Sequence, residues 1–147
     1  MIKNSKNFFS KDEQQLIVEA IKSAELNTSG EIRVHIENYC FGNSLVKAEK
    51  IFSKLGMQNT KDRNGILIYI AAVSRKMAIV GDKGIHEKLG KEYWDKIVNG
   101  ILESFRTNTK GEGLAKGIID CGEQLKKHFP YASDDKNELN DSISFKA

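Results

Sequence analysis

The chain has 147 residues, 39% of them hydrophobic and 29% charged, which is the composition of one ordinary globular domain. Its formal net charge is only +3, and acidic and basic residues are interleaved almost everywhere, so the sequence lacks the concentrated basic face of a nucleic-acid-binding protein. No apolar run approaches the roughly 20 residues of a membrane span, and the first residues lack the apolar stretch of a signal peptide. We therefore expect a cytoplasmic monomer with no nucleic acid partner and no membrane span.

The first three predicted elements are helix, strand and helix. Ser10 and Glu13 have the spacing of a capping box, which predicts a helix over about 11–26. Strict alternation of apolar and polar residues predicts a strand over 31–37 with one face against the core. Helical spacing of apolar residues predicts a second helix over 44–55. The expected buried stripe of that helix consists of Leu45, Ala48, Ile51, Phe52 and Leu55.

A hairpin and two longer helices follow. Residues 65–73 are apolar on both faces, which predicts a central strand. Residues 77–80 are the predicted returning strand after a short turn. A short element at 85–89 precedes helices predicted over about 91–106 and 112–128.

This order of elements predicts an α/β fold. The strand–helix–strand unit over 31–73 implies a parallel pair of strands, and the hairpin adds an antiparallel strand. We expect a mixed three- to four-stranded sheet flanked by four or five helices, in a single domain over 1–131. The polar tail over 132–147 is expected to be disordered.

Polar side chains occur where three predicted strands meet one edge of the sheet. Glu31 begins the first strand, Asp62 and Asn64 precede the second, and Asp82 follows the third between Gly81 and Gly84. Because the first two strands are parallel and the third returns, these residues are expected at one rim. Carboxylate and amide oxygens suit a hard cation such as Ca²⁺ or Mg²⁺. The alternative is that they are ordinary turn and loop residues.

The other chemistry-bearing residues are isolated. His35, His86 and His128 have no metal-type spacing, and a lone histidine is more often structural than a ligand. Cys40 and Cys121 are expected as reduced thiols, with Cys121 in the core. The sequence has no GxSxG motif, phosphate-binding loop or dinucleotide fingerprint, which argues against triad hydrolases, P-loop NTPases and dinucleotide enzymes.

Five segments together resemble the TPM domain family, over about residues 9–130. They are SGEIRVHIE (29–37), RNGILIYIA (63–71), KMAIVGDKGI (76–85), KEYWDKIV (91–98) and GLAKGIIDCGEQLKKHFP (113–130). Members of this family include a plant thylakoid-lumen protein described as an acid phosphatase and membrane-tethered bacterial proteins. The resemblance implies an α/β/α sandwich of Rossmann-like shape. It also implies divalent cation binding at the strand-end rim and hydrolysis of phosphomonoesters.

The family pattern maps onto three short segments of this chain. The "GE" that opens a strand matches Gly30–Glu31, the "NG" matches Asn64–Gly65, and the glycine turn matches Gly81–Gly84. Two positions depart from the pattern. Arg63 stands where many members have an acid, and Asp82 supplies a carboxylate that the common turn lacks.

Three functions remain as alternatives. The first, which we favour, is a divalent-cation-binding domain whose metal ligands are Asp82, Glu31, Asn64 and Asp62. The second is a metal-dependent phosphatase that acts on a phosphorylated small molecule or protein, with Asp82 and Arg63 as catalytic residues. The third is a non-catalytic interaction module that uses the tail or the aromatic side chains at positions 8 and 9, which are expected to be exposed.

Overall fold

The computed structural model describes residues 4–131 and 143–146. Helices and strands alternate over residues 11–71, and a returning strand and three helices follow in the order that the sequence predicts. The elements are α1 (Lys11–Glu25), β1 (Glu31–Glu37), α2 (Ser44–Lys54), β2 (Gly65–Ala71), β3 (Lys76–Gly81), α3 (Lys83–Leu89), α4 (Lys91–Arg106), α5 (Lys110–His128) and β4 (Ser144–Lys146). No helix in these ranges is long and apolar enough to cross a lipid bilayer.

The first helix begins at the capping box that the sequence predicts. The Ser10 hydroxyl accepts a hydrogen bond from the Glu13 amide at 3.1 Å, and the Glu13 carboxylate accepts one from the Ser10 amide at 2.9 Å. Two amides that a helix start would otherwise leave unpaired are thereby satisfied. Local side chains therefore determine where α1 begins.

The sheet is mixed, with the strand order β3-β2-β1-β4. β1 pairs with β2 in parallel, with Glu31 opposite Gly65, and β3 pairs with β2 antiparallel, with Gly81 opposite Ile66. All residues of β2 are buried, which confirms it as a central strand. The start of β1, the start of β2 and the end of β3 therefore lie at the same end of the strands, which we call the amino edge of the sheet.

Helices cover both faces of the sheet, so the fold is the expected α/β/α sandwich. One face carries Ile32, Ile66 and Ile68 and packs with residues of α1, α4 and α5 in the larger core. The opposite face carries Leu67 and Tyr69 and packs beneath α2 in a smaller core. The two faces of β2 alternate between these cores, as the pleat of a strand requires.

Three expectations about exposure are wrong. Leu45 is 42% exposed, because the buried stripe of α2 begins one turn later, at Ala48. Phe9 is 1% exposed, and Phe8 is half-buried and packs edge-on against Phe9 and Phe105, so neither ring is fully exposed.

The end of the polar tail is also more ordered than expected. Residues 144–146 form β4, which pairs in parallel with β1 and places Ser144 opposite His35. An edge strand offers unpaired backbone groups, and β4 satisfies part of those on β1. The expectation of disorder for 132–142 lies outside the described residues, and the division of the chain into a domain and a tail stays a prediction.

The packing of α1 against α5 gives a test of the fold. A β-carbon at Gly122 would lie 2.5 Å from Ala24 Cβ and 2.7 Å from its Cα, so Gly122→Ala should reduce the free energy of unfolding by about 1–3 kcal/mol. Gly100 is the matched control, because a β-carbon there meets no atom within 4 Å. Gly100→Ala in α4 should instead stabilise the protein by about 0.5–1 kcal/mol. Urea unfolding of both variants measures the difference, and a shift of the same sign would contradict the packing described here.

Candidate functional site

The amino edge of the sheet brings together the site residues that the sequence predicts. The Asp82 amide donates to the Gly65 carbonyl oxygen at 2.9 Å, and Glu31 pairs with Gly65 across the parallel strands. Glu31, Asn64 and Asp82 are only 2%, 1% and 7% exposed. We use the name rim for Ser29, Glu31, Asp62, Arg63, Asn64 and Asp82.

Arg63 and Asp82 form a bidentate ion pair at the rim. Arg63 Nε lies 2.6 Å from Asp82 Oδ2, and Nη2 lies 2.9 Å from Oδ1. Hydrogen bonds to Asp82 raise the pKa of the Arg63 guanidinium above its ordinary value. The two residues expected to act in catalysis therefore bind each other. The Asp82 side chain is buried whereas that of Arg63 is 40% exposed, so the guanidinium is the partner with room to move.

Asp82 has a second, structural role as the N-terminal cap of α3. Its Oδ1 accepts a hydrogen bond from the Lys83 amide at 2.8 Å. Strand β3 ends on Gly-Asp because the chain passes directly from strand to helix, and aspartate is among the best capping residues. The carboxylate thus receives three donors, two from Arg63 and one from the backbone.

Gly84 lets the start of α3 approach the 62–63 backbone closely. Its amide donates to the Arg63 carbonyl oxygen at 2.8 Å, and a β-carbon at Gly84 would overlap the carbonyl oxygens of both Asp62 and Arg63. Arg63 itself has φ of 50°, in the left-handed region that is uncommon for residues other than glycine. Gly84 therefore serves a close backbone contact within the chain.

A chain of polar contacts connects the starts of β1 and β2. The Ser29 hydroxyl donates to Asp62 Oδ2 at 3.1 Å and accepts from Asn64 Nδ2 at 3.0 Å. Asn64 Oδ1 is buried, and within residues 4–131 and 143–146 it has no hydrogen-bond partner. A buried acceptor without a donor is costly, and such an atom is a candidate ligand for an ion or a water molecule.

The rim fits a divalent cation in its chemistry, but its charge is already partly balanced. Its side-chain ligands are oxygens, which Ca²⁺ and Mg²⁺ prefer. Arg63, however, holds the Asp82 carboxylate where a metal ion would supply positive charge. Across the described part of the chain there is no cluster of three or more His, Cys, Asp or Glu residues able to hold a metal ion. A cation that uses Asp82 must therefore compete with Arg63.

A second polar cluster, on the other side of β1 from the main core, was not predicted. His35 Nδ1 lies 2.7 Å from the Ser144 hydroxyl, and His35 Nε2 lies 3.6 Å from Glu37 Oε1. Tyr69 donates a hydrogen bond to Glu37, and Lys47 Nζ lies 3.6 Å from the same carboxylate. The alternation of β1 shows that His35 and Glu37 share a face, but only the tertiary structure shows that this face is buried.

Burial controls protonation in this cluster. It lowers the pKa of His35, although the neighbouring Glu37 opposes the shift, and Arg33 and Lys146 assist it. Burial and the hydrogen bond to Glu37 raise the pKa of Tyr69. Neutral His35 and neutral Tyr69 are therefore the stable forms at neutral pH, and we assign the cluster a structural role in holding β4 against β1.

The remaining candidates have structural explanations. Cys121 is fully buried as expected, and burial raises the pKa of its thiol to about 12, so it is a poor nucleophile. His86 Nδ1 accepts a hydrogen bond from Trp94 Nε1 at 2.9 Å.

Comparison with known proteins identifies similar chains. Residues 2–124 match the family described as the TPM domain. The chain is similar to the BA42 protein from the psychrophilic bacterium Bizionia argentinensis, solved by NMR, with 41% sequence identity and a TM-score of 0.85 over 95% of this chain and 96% of that one. It is also similar to the N-terminal domain of a protein from P. gingivalis, with 18% identity and a TM-score of 0.69 over 85% of this chain and 83% of that one, which shows the fold alone. No curated protein matches.

The lowered pKa of His35 predicts how stability depends on pH. Because the folded protein binds this proton less readily than the unfolded chain does, neutral His35 contributes stability above the ordinary histidine pKa of about 6.5. That contribution is lost as the pH falls from this value through the folded-state pKa. The unfolding free energy of wild type minus that of His35→Asn should therefore be constant above about pH 7 and decrease on acidification. A difference that grows at low pH would show that Glu37 instead stabilises a charged His35.

Proposed function

The chain belongs to the TPM domain family, and we propose that it binds a divalent cation, Ca²⁺ or Mg²⁺, at the rim of the amino edge. The observation that carries the proposal is the buried oxygen Asn64 Oδ1, which lacks a hydrogen bond within the described residues. The amide nitrogen of the same side chain donates to the Ser29 hydroxyl, which in turn donates to the Asp62 carboxylate. We include Asp82 and Glu31 among the proposed oxygen ligands because both flank Gly65 at the same edge of the sheet. When bound, the cation supplies positive charge to these buried carboxylates.

Arg63 regulates this site as an internal competitor. The Asp82 carboxylate is available to an ion only when the guanidinium has turned away, and the exposure of the Arg63 side chain makes that movement feasible. The apparent affinity of a ligand falls in proportion to the fraction of protein in the binding-competent state. We therefore expect weak binding, in the millimolar range of the weakest calcium modules.

Two substitutions separate the charge of the ion pair from its structural role. Asn is as good a helix cap as Asp, so Asp82→Asn removes the carboxylate and keeps the start of α3. Arg63→Gln removes the competitor. Lys61→Gln is the matched control, because it removes the same charge from an exposed neighbour that makes no ion pair within the described ranges.

The prediction is tested by titrating CaCl₂ and MgCl₂ into the isotope-labelled protein and following its backbone amide shifts. Wild type should show saturable shifts confined to residues 29–31, 62–65 and 81–85. Arg63→Gln should bind more tightly than both wild type and Lys61→Gln, whereas Asp82→Asn should bind more weakly. The proposal is overturned if wild type shows no localised shift at millimolar metal, or if Arg63→Gln and Lys61→Gln have equal affinity.

Phosphomonoester hydrolysis is a second proposal that the same residues support less well. Arg63 would have to leave Asp82 to bind a phosphoryl oxygen, although an exposed guanidinium is well suited to that contact. Turnover of a generic aryl phosphate should then be lost in Arg63→Gln and retained in Lys61→Gln. Equal rates in the two variants would exclude catalysis at the rim.

A further inference from the structure

A cavity of about 560 Å³ lies at the carboxyl edge of the sheet, opposite the rim. It contacts the end of β2, the turn before β3, the end of α4 and the start of α5. The length of β2 separates it from the rim by about 20 Å, at about 3.3 Å per residue. Cavities of this volume hold small organic ligands, and ligands of α/β sheets collect at the carboxyl ends of parallel strands.

The residues around this cavity are strongly basic. Arg75, Lys76, Arg106 and Lys110 line it, and no acidic side chain among the described residues does. Within the described residues, Arg75 makes no ion pair, and Lys76 donates to the carbonyl oxygens of the β1–α2 loop. Each of the other two cations has a carboxylate partner. Glu103 is 3.2 Å from Arg106, and Glu13 is 3.9 Å from Lys110. A positive potential therefore remains inside the cavity.

Aromatic rings form the apolar wall of the same cavity. Phe8 and Phe105 both line it, and their ring centroids are 5.4 Å apart in an edge-to-face arrangement. Lys110 Nζ lies 5.6 Å from the centroid of the Phe8 ring, so charge and apolar surface are adjacent. Both rings are half-buried, which leaves part of each available to a ligand.

Arg75 occupies a backbone position that favours a different residue type. Its φ is 56°, in the left-handed region where Gly or Asn is more easily accommodated. The turn between β2 and β3 would therefore form at lower conformational cost with another residue. Arg75 lines the cavity from this turn.

We propose that this cavity binds an amphiphilic organic anion, with a carboxylate or sulfonate head and an aromatic or aliphatic body. Arg75 and Arg106 hold the head, because guanidinium groups bind oxyanions in a bidentate manner. The body packs on Phe8 and Phe105, where burial of apolar surface adds affinity. The site is independent of cation binding at the rim.

The test measures binding of an aromatic sulfonate, 1-anilinonaphthalene-8-sulfonate, and of octanoate by amide-shift titration of the full chain. At least one probe should saturate with shifts at residues 70–76 and 102–110. Arg75→Glu combined with Arg106→Glu should raise the Kd of that probe by at least about tenfold, which corresponds to about 1.4 kcal/mol of binding free energy. Lys50→Glu combined with Lys96→Glu is the control. It reverses the same amount of charge at exposed positions outside the cavity and should bind like wild type.

Two further titrations test which class of ligand binds and whether the cavity binds independently of the rim. Inorganic phosphate is an anion without an apolar group, so it should bind more weakly than the amphiphilic probes. Equal affinity would overturn the role of the aromatic wall. Millimolar calcium should leave probe affinity unchanged. The proposal fails if neither probe produces saturable shifts, or if both double variants lose affinity equally. Thermal unfolding of each variant confirms that the comparison is made between folded proteins.

Discussion

The ion pair between Arg63 and Asp82 determines what the amino edge of this sheet can do. Asp82 is buried, so its charge needs a partner, and the guanidinium meets it with two short hydrogen bonds. The same carboxylate caps α3, so the start of that helix, the end of β3 and the segment before β2 are joined at one point. A cation that binds here replaces a charge that the chain already supplies.

The two ends of the sheet have opposite character. The amino edge brings together side-chain oxygens from three segments, and the Arg63 guanidinium binds one of them. The carboxyl edge gathers four basic side chains around an aromatic wall. The buried strand β2 spans the distance between the two edges, and we expect the two sites to bind their ligands independently.

Much of the architecture can be predicted from the sequence because it depends on local patterns of residues. The capping box at Ser10 and Glu13 sets the start of α1, and the alternation of Ile32, Val34 and Ile36 identifies the core face of β1. The convergence of Glu31, Asn64 and Asp82 follows from strand direction alone, so it could be predicted without any side-chain geometry.

The features that could not be predicted depend on contacts between distant segments. Arg63 pairs with Asp82 from a left-handed backbone conformation, which nothing in the local sequence indicates. The docking of Ser144 beside His35 joins residues that are more than a hundred positions apart. The residues that line the basic cavity come from several separate elements, so no single stretch of sequence predicts the cavity.

The most direct test of the competition between Arg63 and a metal ion is to observe the guanidinium itself. The proton and nitrogen resonances of Arg63 Nε should show a hydrogen-bonded group in the metal-free protein, because this atom lies 2.6 Å from Asp82. As calcium is added, we predict that the Nε resonance moves toward its solvent-exposed position with the same midpoint as the amide shifts at the rim. Saturation of the rim amides with an unchanged Nε resonance would contradict the account.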